Sequence, residues 1–274
     1  MYSIRTPAKL NTFLNVNAKR SDGLHNISTH LQLIDIYDEL SFSPAKFNTL
    51  VCGYPELNKD NIVIKSIEYF NQKYGANHNF NVALKKNIPF GAGLGGGSSN
   101  AAYTLILLCL ISGIDLGDLD LNDIGKSLGA DIPFFIQSKS CYVSGYGEIL
   151  EEQYSLNKEF LVISPNINVK TEEVFNSKYL NLEINLNKNI NSLLKPLLEE
   201  NDKFAKFYQN IIKKSDNFRN RVKLTGSGSS LFIESPTTEE KAILQPKIED
   251  NFRIFLVKGL EYYDFAKDWG VAKW

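Results

Sequence analysis

Cysteine is scarce in this 274-residue chain: Cys52, Cys109 and Cys141 are scattered, odd in number and never in C-x-x-C spacing. Such a set predicts neither a disulfide framework nor a zinc site, and it suits a reducing cytoplasm. Charge of one sign is missing as well. Lys and Arg number 30 against 31 Asp and Glu, a net charge of -1. No basic excess is there to draw in a nucleic-acid backbone, so nucleic acid is not an expected partner. Long hydrophobic runs are also absent. The start, Met-Tyr-Ser-Ile-Arg-Thr-Pro-Ala-Lys, has no apolar signal-peptide core, and the longest apolar run, around Leu105 to Ile111, is far too short to span a bilayer. No membrane partner is expected, and no internal repeat is visible. What remains is 43% hydrophobic and 22% charged residues, the composition of a soluble globular protein with a core of its own. The length suggests one large or two ordinary domains.

Glycine, by contrast, is concentrated. Residues Pro89 to Ala102 read P-F-G-A-G-L-G-G-G-S-S-N-A-A, and five of the seven positions from Gly91 to Gly97 are glycine. With so few Cβ atoms the chain folds tightly and brings main-chain N–H groups close to a ligand. The apolar run from Ala101 to Ile111 follows and reads as a buried helix. A glycine loop that opens into a helix N-terminus is an anion site, because free N–H groups and the helix dipole both favour negative charge. A phosphate chain is the expected guest. The same spacing also describes a flexible linker, but linkers do not sit between a strand and an apolar helix.

The loop fits a dinucleotide fold poorly. Gly91-Ala92-Gly93-Leu94-Gly95-Gly96 satisfies G-x-G-x-x-G, yet Gly113 to Asp118 is a polar loop where a second strand and a ribose-binding acid are required. It is not a Walker loop either, since Gly97 is followed by Ser98 without the lysine. The protein-kinase signatures H-R-D and D-F-G are absent.

Around the loop, alternation predicts a strand over Leu10 to Val16, with Leu10, Thr12, Leu14 and Val16 on one face and Lys9, Asn11, Phe13 and Asn15 on the other. Two further strands are expected at Leu31 to Ile36 and Glu39 to Ser43, a helix at Asn61 to Tyr74 and a short strand at Val82 to Leu84. A helix over Leu121 to Leu128 should end at Gly129, with Pro133 preventing its continuation. The polar stretch Glu151 to Lys158 is the boundary candidate, dividing residues 1–152 from 153–274. Beyond it come a strand (Phe160 to Ser164), a helix from Thr171, an Asn-rich loop near Asn181 to Asn191, and a long helix from about Ser192 to Lys214. Strands at Val222 to Thr225 and Leu231 to Glu234, a helix at Glu239 to Asp250 containing Pro246, and a strand at Arg253 to Val257 complete the ferredoxin-like order. The fold class is α+β. No role is read for the aromatic C-terminus, Tyr262-Tyr263 through Trp269 and Trp274.

The loop motif resembles the phosphate-binding motif of the GHMP small-molecule kinases. Two companion motifs resemble theirs: Pro7-Ala8-Lys9-Leu10-Asn11 near the start and Leu224-Thr225-Gly226-Ser227-Gly228-Ser229-Ser230 near the end. Within that superfamily, Arg20-Ser21-Asp22-Gly23-Leu24-His25 and Gly129-Ala130-Asp131-Ile132-Pro133-Phe134-Phe135 resemble segments of the 4-diphosphocytidyl-2-C-methyl-D-erythritol kinase family. The resemblance implies ATP-dependent phosphorylation of a hydroxyl of that cytidyl compound, giving the 2-phosphate and ADP, in the non-mevalonate isoprenoid pathway. It implies an N-terminal nucleotide-binding domain with a left-handed βαβ unit, against the usual handedness, packed on a ferredoxin-like domain, with the active site between them. A monomer or weak dimer is expected.

Site residues follow from the same match. Asp131 is the implied base for the acceptor hydroxyl; from the residues alone it reads first as an ordinary Asx turn before Pro133. Lys9 would stand beside Asp131 and orient the hydroxyl, or else be a solvated strand-end lysine. Pro89, Phe90, Gly91, Ala92, Gly93, Leu94, Gly95, Gly96, Gly97, Ser98 and Ser99 would hold ATP, and Ser98 or Ser99 would cap the helix or touch Mg²⁺. Asn11, Asp22, His25, Phe175, Gly226, Ser227 and Gly228 would meet the small-molecule substrate. The family carries an aromatic residue before the histidine, where Leu24 stands; leucine lacks a π face, so Phe175 is expected to carry more of the stacking on cytosine. Two other classes stay open at this point, a nicotinamide oxidoreductase and an RNA-binding module, besides another GHMP kinase acting on mevalonate, homoserine or a sugar.

Overall fold

The computed structural model describes residues 1–152, 157–182, 190–214, 218–245 and 251–269. The chain opens with two long strands, β1 (Tyr2–Lys19) and β2 (His25–Pro44), paired antiparallel. Two strands were expected where β2 runs unbroken. β1 is buried on both faces from Ala8 to Val16, and register shifts at Pro7/Ala8 and Asn11/Phe13 reset its alternation, so Leu10 and Leu14 serve different cores. Such a bulge leaves one residue unpaired and turns the strand. Next come β3 (Thr49–Cys52), α1 (Ile62–Tyr74) and β4 (Phe80–Lys85). Asn61 caps α1 by accepting from the Val63 N–H, and Gly75 closes it at φ +64°. β3 and β4 are parallel, so α1 is a crossover between them.

α2 (Gly96–Ser112) is apolar all round, which is why it lies in the core rather than on the surface. α3 (Leu121–Ser127) stops one residue short of the expected end, with Gly129 following at φ +154°. Pro133 does more than end a helix: it occupies the first turn of α4 (Ile132–Gln137), where its missing N–H costs nothing. β5 (Cys141–Gly145) pairs with β2 and with β6 (Ile149–Glu152).

The remainder contains β7 (Glu159–Pro165), α5 (Thr171–Phe175), α6 (Leu194–Glu200), α7 (Asp202–Ile212), α8 (Phe218–Arg221), β8 (Lys223–Leu224), β9 (Leu231–Glu234), α9 (Thr238–Ile243), β10 (Phe252–Leu260) and α10 (Phe265–Asp268). The long helix expected from Ser192 to Lys214 is two helices, broken at Asn201, whose side chain accepts from Phe204 N–H and starts α7 afresh. α9 ends at Ile243, and Leu244 and Gln245 are not helical; residues 246–250 of the expected helix, most of the Asn-rich loop (183–189), part of the boundary candidate (153–156) and Trp274 lie outside the described residues. The strands adjoin in the order β10-β7-β9-β8, all antiparallel. Gly259 and Leu260 then pair with Ile34 and Leu33, joining everything into one ten-stranded sheet.

A small apolar cluster welds the two halves where Ala8, Leu10 and Ile34 meet Phe160, Val162 and Phe232. The three cysteines are buried and free, and burial pushes the thiols of Cys109 and Cys141 up to about 12. The aromatic C-terminus is a clasp. Tyr263 and Trp269 pack edge-on against Tyr103 of α2, and the Tyr263 hydroxyl donates to the Arg5 carbonyl. Tyr103 is fully buried, and its hydroxyl meets that of Ser138, the C-cap of α4, at 2.8 Å. One side chain thus ties together two helices whose N-termini face the same cleft. Tyr103→Phe is expected to cost about 1 kcal/mol, the net worth of one buried hydrogen bond, because Ser138 keeps the Phe135 carbonyl as a partner. Urea unfolding of the two proteins measures it.

Candidate active site

A cleft of about 1330 Å³ runs between the glycine loop, β1, and the turn that joins β8 to β9. It exceeds the usual range for one small ligand, so it has room for two. The loop lines it from Pro89 to Ser98. Loop carbonyls are pinned from behind: Gly91 O accepts from Val169 N–H, Ala92 O from Ser230 N–H and Leu94 O from Lys9 N–H, at 3.0–3.3 Å. In a trans peptide C=O and N–H point opposite ways, so holding these oxygens aims the amides of Ala92, Gly93 and Gly95 away from those partners. Among the described residues, no main-chain N–H from Phe90 to Ser98 donates a hydrogen bond. The helix N-terminus adds to this row, since Gly95 is the N-cap and has no side chain to cap it. Unpaired donors at a helix start form an anion cradle.

Glycine is demanded here by close approach. A Cβ on Gly93, at φ +76°, would sit 2.3 Å from the Thr225 carbonyl, and one on Gly95 would sit 2.9 Å from both Lys9 Cγ and Phe135 Cζ. The loop and the Gly226–Gly228 turn interlock backbone to backbone.

Lys9 emerges from β1 directly beside the loop, 4% exposed. Its Nζ lies 2.6 Å from Asn11 Oδ1 and 3.5 Å from Asp131 Oδ2. Asn11 is held in turn by Thr29 and by Thr225, which accepts the Asn11 N–H. Asp131 occupies the N-cap position of α4, but its carboxylate makes no capping bond; it is 40% exposed and aims at Lys9 across the cleft. The Asx-turn reading is therefore not what its side chain does. A carboxylate held by a buried cation, open to solvent and near an anion cradle, is placed to take a proton from a bound hydroxyl.

At the other end His25 and Phe175 face each other, ring centroids 5.4 Å apart. Burial, and secondarily the charge of Lys19, holds the His25 imidazole below its ordinary value of 6.5. It is neutral at neutral pH and can donate from one nitrogen while accepting at the other. Phe175 rides on α5, and Thr171 of that helix hydrogen-bonds Ser227 at 2.8 Å, coupling the aromatic wall to the second glycine turn.

Comparison with known proteins identifies relatives of this chain. Residues 61–139 match the model of the GHMP kinases N terminal domain. The chain is 31% identical to the 4-diphosphocytidyl-2-C-methyl-D-erythritol kinase of Ruthia magnifica subsp. Calyptogena magnifica, over 97% of each chain. It is 34% identical to the protein of that name from Francisella tularensis subsp. novicida (strain U112), over 93% of this chain and 95% of that one. The chain belongs to the 4-diphosphocytidyl-2-C-methyl-D-erythritol kinase family. A crystal structure of 4-(cytidine 5'-diphospho)-2C-methyl-D-erythritol kinase superposes with a TM-score of 0.73 at 24% identity, covering 94% of this chain and 98% of the other, and shows the shared fold.

In this kinase-family chain, Lys9, Asn11, Asp131, His25, Phe175, Gly226, Ser227, Gly228 and the loop from Pro89 to Ser98 all line the one cleft. Two expected residues do not. The Asp22 carboxylate is bound by Arg20 and by the Leu24 N–H, which shapes the turn. Ser99 is fully buried, donating to the Pro7 carbonyl at 2.6 Å. Neither Ser98 nor Ser99 caps α2, because the helix begins at Gly96. Leu24 does line the cleft, with an exposed side chain.

Sequence reasoning missed Lys86 and Asn61, which line the same cleft. Lys86 is buried against the start of α2, paired with the fully buried Asp38. The signal was there: Phe80, Val82 and Leu84 face inward, and the next inward step of that alternation is Lys86.

Gly93→Ala should lower the melting temperature and abolish nucleotide binding, since backbone rather than a flexible side chain blocks the new methyl. Gly97→Ala, whose nearest neighbour would be 3.9 Å away, should melt as wild type. Thermal unfolding and titration with a non-hydrolysable ATP analogue read both.

Proposed function

We propose that this chain transfers the γ-phosphoryl group of ATP to a hydroxyl of 4-diphosphocytidyl-2-C-methyl-D-erythritol, giving the 2-phosphate and ADP, in the non-mevalonate isoprenoid pathway. The observation that carries this reading is the loop from Phe90 to Ser98, whose amides have no partner among the described residues and which lines a cleft where Lys9 and Asp131 stand together. In this reading the amides hold the triphosphate. Lys9 orients the acceptor oxygen, Asp131 takes its proton as the oxygen attacks phosphorus, and the bond to the ADP oxygen breaks. His25 and Phe175 engage the cytosine, and the amides of Gly226 and Ser227 approach the acceptor from the opposite wall.

Mg²⁺ accompanies the nucleotide in this reading. Among the described residues no group of three or more His, Cys, Asp or Glu converges, a donor set that suits an ion held mostly by phosphate oxygens and water. Ser98, whose hydroxyl has no partner among the described residues and which lines the cleft, is the side chain available to it. When bound, the ion offsets phosphate charge. The finer architecture belongs to the same proposal: residues 1–152 as a nucleotide-binding domain with a left-handed βαβ unit, residues 153–274 as a ferredoxin-like domain. The β10-β7-β9-β8 order supports the second part. No helix among the described residues is long and apolar enough to cross a membrane; a cytoplasmic monomer or weak dimer is proposed.

Incubating the protein with ATP and the cytidyl acceptor, mevalonate or homoserine tests the reading; turnover of an uncytidylylated acceptor alone would overturn it. Asp131→Asn and Lys9→Ala should each lower kcat by about 10² to 10⁴ while the ATP analogue still binds in calorimetry. The acceptor KM should stay flat across neutral pH and rise in acid, because protonation of His25 comes only below its ordinary range. Phe175→Ala should raise the same KM, and an unchanged value removes Phe175 from the site.

A further inference from the structure

Gly226 and Ser227 present a second pair of main-chain amides that donate to nothing among the described residues, and both residues line the cleft. What aims them is a side chain remote in sequence. Asn191 is 8% exposed, and its Nδ2 donates to the Leu224 carbonyl at 3.0 Å and to the Gly226 carbonyl at 2.8 Å. Its Oδ1 accepts the Leu193 N–H at 2.9 Å, so every polar atom of the amide is used. The backbone around Asn191 is itself fixed. Leu14 N–H donates to Ile190 O, Ser192 N–H donates to Leu14 O, and Ser192 Oγ accepts the Val16 N–H. Asn191 therefore stands on β1, the strand that carries Lys9 and Asn11, and grips the turn from behind.

The Gly226 carbonyl and the Ser227 N–H belong to one planar trans peptide, so they point in opposite directions. Gly226 sits at φ +57° and Gly228 at φ +93°, a conformation glycine adopts at no steric cost, so a neighbouring group has to choose the peptide's orientation. We propose that Asn191 is a positioning residue for the acceptor: by holding the Gly226 carbonyl at the back of the turn it keeps the Ser227 N–H turned into the cleft, where it meets the polar, diphosphate-bearing substrate. The inference rests on the kinase reading for the identity of that substrate. It does not depend on it for the orientation of the peptide.

Two variants test it, Asn191→Ala and the equal-sized Asn191→Asp, which keeps the acceptor for Leu193 N–H but loses both donors. In each, the acceptor KM is expected to rise about tenfold while kcat and the calorimetric Kd of a non-hydrolysable ATP analogue stay within about twofold of wild type. The Asp variant carries a further signature. A buried carboxylate facing two carbonyl oxygens is protonated more readily than usual, and the protonated acid regains one O–H donor. Its acceptor KM, taken relative to wild type at the same pH, should fall back as the pH is lowered from about 8 to about 6, whereas the Ala ratio stays flat. In ¹⁵N-labelled protein the Ser227 amide resonance should move in both variants while those of Gly96 to Ser98, which do not touch the turn, hold.

An unchanged acceptor KM in Asn191→Ala, or a nucleotide Kd that rises in step with it, would overturn the proposal. Should the Ala protein not fold, a pH-independent KM ratio in Asn191→Asp does so instead. A wild-type protein that ignores the cytidyl acceptor refutes the kinase reading alone; the Ser227 resonance still decides the role of Asn191, and an unmoved signal refutes it.

Discussion

Three carbonyl oxygens, those of Gly91, Ala92 and Leu94, are held from behind, and the site is built on that constraint. Peptide planarity converts the capture of an oxygen into the aiming of a nitrogen. Their captors are Val169, Ser230 and Lys9, drawn from the segment after β7, the turn just before β9 and the middle of β1. The cradle is thus a property of the assembled sheet. A glycine-rich segment on its own samples many peptide orientations; the tertiary hydrogen bonds select one in which the donors are left for a ligand.

The same captors place the chemistry. Lys9 contributes its main-chain N–H to the loop and its ammonium to Asp131, so the loop and that carboxylate share one residue as a spacer. α2 and α4, which begin at Gly96 and Ile132, are fastened to each other further back by the hydroxyls of Tyr103 and Ser138. The C-terminal clasp closes over that joint through Tyr263 and Trp269. The two helix starts that line the cleft are accordingly held in fixed relation, which is how a rigid scaffold limits the freedom of groups it does not touch.

Much of this was legible in the residues. The glycine run ahead of an apolar helix announced the anion loop, and three short motifs carried the family resemblance. The strand–helix–strand–strand–helix–strand order of the second half was readable from periodicity. Other features were not. The single long β2 read as two strands, because its partners on both sides, not its own alternation, keep it extended. The helix over Ser192 to Lys214 read as continuous because Asn201 looks unremarkable until its side chain caps α7. Lys86 was passed over because a lysine is ordinarily solvated, and only the buried Asp38 makes its inward position tolerable. Asp22 and Ser99 were assigned to the site by the motif match, yet the first is bound by Arg20 and the second by the Pro7 carbonyl, and neither lines the cleft.

By itself the sequence determined which groups are available: glycines that permit close approach, a helix apolar enough to be buried, one lysine and one aspartate in recognisable surroundings. These are local matters of sterics and composition. Which way each peptide faces, whether Asp131 caps its helix or looks across at Lys9, and which of two neighbouring serines meets the cleft were decided only by the tertiary structure. The reason is that each of those choices is made by a hydrogen-bond or charge partner far away in the chain, and no local propensity encodes where that partner will stand.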